Sequence, residues 1–191
     1  MHEKEKIEEA KYFYLRMIEE YEDREHFRHN LSAFLSPARS VLEYAMREAR
    51  LKRKGLKWYD DWMNASPILR FFKKKRIINF HSEPISLRKG IEIAIRETLY
   101  ISESISVKIT RADGKTESRS IPLETKQKPE GSKSSVESKS TYRFDDWMKY
   151  CQSNNLKDFT GNEDVLTLCE KYIQELEKIV KDGVNKGFIT D

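Results

Sequence analysis

Ser66-Pro-Ile-Leu-Arg70-Phe-Phe-Lys-Lys-Lys-Arg76-Ile-Ile-Asn-Phe-His81-Ser-Glu-Pro84 divides the sequence into two kinds of pattern. Ser66 and Pro67 make a helix start. A serine hydroxyl accepts a free amide of the first turn, and proline is tolerated where its missing N–H would be unbonded anyway. The spacing predicts a helix through Phe71, Phe72 and Ile78 to about Phe80, and Pro84 ends any continuation. Before this stretch the apolar residues recur with a helical period. Beyond it the period becomes two.

On the N-terminal side, Ile7, Ala10, Tyr14, Met17 and Tyr21 mark an amphipathic helix over residues 3–22. A second pattern runs from Phe27 to Lys54 through Leu31, Phe34, Leu35, Val41, Leu42, Ala45 and Ala49, with Gly55 as its stop. Pro37 interrupts it, predicting one kinked helix or, alternatively, a new helix capped by Ser36. Trp58 to Met63 reads as a short aromatic turn of helix at the edge of a core.

On the C-terminal side, Ile91, Ile93 and Ile95 alternate with polar residues, as do Ile105, Val107 and Ile109. Asp113-Gly114 is a hairpin signal that predicts residues 104–111 folding back on 116–123. Lys126 to Ser140 has no apolar period and is expected to be a mobile loop, with a short strand at Tyr142 and Phe144. A broad stripe from Val165 through Leu168, Cys169, Tyr172, Ile173, Leu176, Ile179 and Val180 predicts a last helix over 163–182, stopped by Gly183. The expected fold is mainly α. It is an up-and-down bundle of about four helices, with a small antiparallel β insertion between the third and last long helices. Residues 1–191 form one domain in this reading, with a core of 3–81 and 163–182 and an insertion at 88–145.

The 191 residues carry a net charge of +4, unevenly placed. Met1 to Glu25 holds nine acids against five Lys or Arg, whereas Arg47 to Arg76 holds eleven Lys or Arg against three acids. Such a basic segment attracts polyanions, and its simplest alternative is a solvated helix face. Cys151 and Cys169 fit neither a metal nor a redox spacing and read as small hydrophobes of a reducing compartment. With no visible signal peptide and no long apolar run, the expected location is cytoplasmic, away from membranes.

The four histidines offer no Ser-His-Asp or Cys-His arrangement, and there is no glycine-rich phosphate loop. His26 and His29 read as surface residues, and Asp60-Asp61 and Asp145-Asp146 as helix caps beside tryptophans. No metal and no cofactor is called for.

A bundle whose third helix ends in Arg76-Ile-Ile-Asn-Phe-His81 resembles the HEPN superfamily (higher eukaryotes and prokaryotes nucleotide-binding), which carries an Arg-x4-His motif at this place. The Leu69-Arg-Phe-Phe72 run before the motif and the turn with Glu83 and Pro84 after it add to the likeness. So does the preceding Leu31-Ser-Ala-Phe-Leu-Ser-Pro-Ala-Arg-Ser-Val-Leu42 helix. Ile77 stands where many members carry a polar residue. The resemblance implies a homodimer with a composite site and metal-independent endoribonuclease chemistry.

In that chemistry His81 is the general base or acid, Arg76 stabilises charge on the phosphoryl oxygens, and Asn79 orients the imidazole. Arg50, Lys52, Arg53, Lys54, Arg70, Lys73, Lys74 and Lys75 would hold the RNA backbone. A second expectation is a non-catalytic module for nucleic acid, nucleotide or protein. A third, from the family's habit, is a toxin or antiphage effector held off by an inhibitory partner protein.

Overall fold

Several helix ends in the computed structural model follow local capping chemistry. The structure describes residues 2–81, 85–97, 104–110, 116–122 and 134–190. Helix α1 spans His2–Glu19 and α2 spans Arg24–Arg50. Asp23 starts α2 before the apolar pattern does: its Oδ1 accepts the amides of Glu25 and His26, both at 3.0 Å. α2 then runs through Pro37 as one helix, with no second start at Ser36.

Gly55 is not the stop of α2. That helix closes at Leu51 in a right-handed conformation, and Gly55 is the first residue of α3 (Gly55–Ala65), after Lys54 at φ 66°. A Cβ on Gly55 would sit 2.0 Å from the Ala49 carbonyl oxygen. Close approach of α3 to the last turn of α2, not a left-handed cap, is what demands glycine here.

Helix α4 spans Pro67–His81, with Ser66 Oγ accepting the Leu69 amide at 3.4 Å. A short α5 (Trp147–Ser153), absent from the sequence expectation, precedes α6 (Val165–Asn185). Asp164 caps α6 through the Leu166 amide at 2.8 Å. Gly183 lies inside α6 and is not its stop, since a Cβ there would come within 2.5 Å of Ile189 Cδ1. The true stop is Gly187 at φ 70°. There the Phe188 amide bonds the Gly183 carbonyl at 2.8 Å and the Gly187 amide bonds the Val184 carbonyl at 3.0 Å. That pair of bonds is the Schellman closure.

Helices α1, α2, α4 and α6 pack as the expected bundle, and α3 bridges α2 and α4. At its centre the Phe72 and Tyr172 rings stack at 4.4 Å, with Phe34 edge-on to both at 6.3 and 6.1 Å. One ring from each of α2, α4 and α6 thus fixes the three helices against one another.

Strands β1 (Leu87–Glu97) and β4 (Ser134–Phe144) pair as one two-stranded sheet. β2 (Ser104–Thr110) and β3 (Thr116–Pro122) pair antiparallel, from Ser104↔Pro122 to Thr110↔Thr116. The Asp113-Gly114 turn lies outside the described residues, as do Glu83 and Pro84. The loop expected over 126–140 is corrected in its second part. Residues 134–140 belong to β4, and 126–133 lie outside the described residues. Backbone pairing with β1, not a side-chain pattern, makes that segment a strand.

The chain divides into two compact units, residues 1–90 with 140–191, and residues 91–139, so the division falls inside β1 and β4. In the first unit the strand ends are part of the helical core. Tyr142 stacks on Phe27 at 4.4 Å, and Phe144 lies edge-on to Phe71 and Phe72.

Both ends of α6 are held by carboxylates that collect distant donors. At its C-terminal end Asp182 Oδ2 accepts the indole N–H groups of Trp58 and Trp62 at 2.7 and 2.9 Å and the Lys186 ammonium at 2.9 Å. Just before its start, Glu163 accepts the Trp147 indole at 2.5 Å and the Thr160 amide at 2.7 Å. Asp164 Oδ2 accepts Tyr21 Oη at 2.7 Å and the Tyr142 amide at 2.9 Å. Burial raises the Asp182 and Glu163 carboxyls, and the tryptophan and neighbouring hydrogen bonds outweigh it, holding both below the ordinary range.

Gly55→Ala should cost about 2 kcal/mol, because the added methyl meets backbone that cannot swing away. Urea denaturation measures this, and an unchanged midpoint would contradict the packing described. The two lowered carboxyls give stability that is present above the ordinary Asp and Glu values of about 3.9 and 4.3 and lost as pH falls through the lower folded values. Asp182→Asn should therefore cost about 1 kcal/mol at pH 7. In paired urea titrations from pH 7 to 3, the gap between variant and parent should close towards the acid end.

Candidate nucleic-acid interface on α4

The face of α4 that enters the core carries Ile68, Leu69, Phe71 and Phe72, all buried. Three or four positions on, the same face reaches Lys75. This lysine is only 7% exposed. Its ammonium lies 5.6 and 5.0 Å from the Phe71 and Phe144 ring centroids and 2.5 Å from Asp146 Oδ1. Lys75 therefore joins α4 to the start of α5 through a shielded ion pair and two cation–π contacts. It is not available to a nucleic-acid backbone, which corrects its place among the expected RNA contacts.

Arg70 is also engaged. Its Nη1 donates to the Met63 carbonyl at 3.3 Å and to the Asn64 carbonyl, closing the C-terminal end of α3. A cation suits that end of a helix, where unbonded carbonyls carry partial negative charge. Lys73 and Lys74 are exposed, and Arg76 is half-buried and makes an interaction within the protein. For Asn79 and His81 the structure gives the backbone, and their side chains lie outside the described residues.

α4 is helical through His81. Five residues of regular helix put Arg76 and His81 about 140° apart around the axis and about 7.5 Å along it.

Arg50, Lys52, Arg53 and Lys54 are exposed at the junction of α2 and α3. The fold does not bring them to Lys73 and Lys74. Phe72 of α4 faces Phe34 of α2. Arg50 is sixteen residues further along α2, which is about 24 Å of helix. Beyond α4 the chain reaches Leu87, whose carbonyl accepts Arg24 at the start of α2 at 3.4 Å, so past Phe72 the path leads away from that junction.

The acidic pairs do not cap. Asp60 and Asp61 lie mid-way along α3 and are exposed. Asp146 stands at the N-cap position of α5, but its side chain makes no capping bond and pairs with Lys75 instead. Asp145 accepts Ser86 Oγ and lies 3.4 Å from Arg88 Nε. His26 and His29 are exposed, with His26 Nδ1 3.1 Å from Asp23. Among the described residues no group of three His, Cys, Asp or Glu could hold a metal ion, and no helix is long and apolar enough to cross a membrane. Burial raises both thiols: that of Cys151 to about 11, and that of Cys169 well above the usual thiol range.

One cation near α4 escaped the sequence reading. Lys149 of α5 joins Lys74 and Lys75 around a hollow of about 360 Å³ between the two helices. No linear pattern relates positions 74 and 149, because the strands lie between them in sequence. Compared with family models, curated proteins and solved structures, the chain shows no match.

Lys75→Ala should destabilise the protein by about 2 kcal/mol, below the full figure for a broken buried pair because Asp146 is partly open to water. Lys73→Ala should stay within about 0.5 kcal/mol. Thermal denaturation of the two variants side by side checks the contrast, and equal shifts would contradict the shielded pair.

Proposed function

We propose that this chain is a HEPN-like bundle that cleaves RNA without a metal, using Arg76 and His81 of a homodimer. The observation that carries the reading is that α4 stays helical to His81, so the Arg-x4-His pair occupies its last turns, just beyond exposed Lys73 and Lys74. The wide angular separation within one helix favours a site in which each copy contributes one member of the pair.

In the proposed reaction neutral His81 takes the proton of a ribose 2′-hydroxyl. The resulting oxygen attacks the adjacent phosphorus, and the bond to the 5′-oxygen breaks. A 2′,3′-cyclic phosphate forms, and the leaving oxygen takes a proton from an imidazolium. Arg76 balances the charge that builds on the phosphoryl oxygens. Asn79 orients the imidazole.

A second reading, a binding module without catalysis, is favoured by the half-burial of Arg76 and its engagement within the protein. The two readings part in one assay. Structured RNA incubated with purified protein in EDTA should yield cyclic-phosphate ends, and His81→Ala and Arg76→Ala should each lose at least about 100-fold in rate. Cleavage that survives in His81→Ala removes the proposal. RNA affinity that falls steeply with salt, without cleavage, establishes the module instead. Poor expression of the wild type beside good expression of His81→Ala would add an inhibitory partner to the picture.

A further inference from the structure

We propose that the hollow between α4 and α5 binds a phosphate monoester. The inference stands on this hollow alone and needs neither Arg76 nor His81. Its volume of about 360 Å³ falls within the usual range of small-ligand sites, about 300–1,000 Å³. Phe71, Lys74, Lys75, Asp146, Lys149 and Ser153 are among the residues that line it.

The charge balance of the hollow is specific. Three lysines and one carboxylate line it, and that carboxylate is already matched by Lys75 at 2.5 Å. Lys75 is held in place by burial and by the Phe71 and Phe144 rings. Lys74 and Lys149 come from different helices, and both are exposed. Among the described residues neither has a carboxylate within ion-pair range. Two like charges brought to one concave surface repel, and the field there is positive.

The surplus of two positive charges matches a phosphate monoester, which carries about −1.5 to −2 at neutral pH. Lysines serve such a group as point charges, and the Ser153 hydroxyl adds a donor at the rim. The monoester can be that of a 5′-mononucleotide or the 5′-terminal phosphate of an RNA. Both present the same chemistry.

Calorimetry on the His81→Ala chain tests this without any cleavage of the probe, so its failure is separate from failure of the ribonuclease reading. The probes are inorganic phosphate, adenosine 5′-monophosphate, and one short RNA with either a 5′-phosphate or a 5′-hydroxyl. Adding Lys74→Gln and Lys149→Gln should weaken inorganic phosphate and the mononucleotide at least tenfold, with an unchanged melting temperature. If the terminal phosphate of RNA is the source, the phosphorylated RNA binds at least tenfold tighter than its hydroxyl form, and the two substitutions abolish the difference. If the free nucleotide is the source, the two RNAs bind alike while the mononucleotide still responds. The site is overturned if the substituted chain holds inorganic phosphate and the mononucleotide as tightly as before. It is equally overturned if the unsubstituted lysines bind neither probe at millimolar concentration.

Discussion

Carboxylates at the two ends of α6 hold the fold together by taking hydrogen bonds from groups far away in sequence. All three tryptophans of the chain donate their indole N–H to one of them. Each indole buries a large apolar ring and would leave a costly unbonded donor without its carboxylate. Asp182 thereby ties α3 to the C-terminal end of α6, and Glu163 ties α5 to the loop before its N-terminal end. Asp164 adds the turn between α1 and α2, through Tyr21, and the end of β4, through the Tyr142 amide. The last helix is the post to which the short elements and the strand end are fastened. The Phe34, Phe72 and Tyr172 rings then set the spacing of the long helices around it.

The long helices were legible because their burial is periodic. The stripe from Val165 to Val180 and the series from Phe27 to Ala49 are almost entirely core. What escaped was set by contacts between distant residues. Gly55 and Gly183 look like stops, yet each lacks a side chain because another group comes too close: the Ala49 carbonyl in one case and Ile189 in the other. Residues 134–140 carry a single large apolar side chain, Val136, so only the backbone ladder to β1 could identify them as strand. Asp146 beside Trp147 reads as a cap, but its partner is a lysine seventy-one positions earlier.

The basic segment was legible as composition and not as a surface. Eleven cations over thirty residues suggest one patch, and the fold distributes them among several tasks. One closes the end of α3, one is sealed between α4 and α5, four sit at the α2–α3 junction, and two lie open on α4. A helix turns about 100° per residue, so neighbouring charges in sequence rarely share a face. Positive potential near α4 is rebuilt in part from Lys149, which belongs to another element.

The three consecutive lysines at 73, 74 and 75 are chemically unequal. Lys73 and Lys74 stand in water, where an acetyl donor or any amine-directed reagent reaches them. The third amine lies against two aromatic rings and a carboxylate and is only 7% exposed, so such a reagent has little access to it. Acylation of this helix would thus strip charge from its open side while leaving the joint with α5 intact. The positive charge on that face can be changed without touching the contacts that hold α4 to α5.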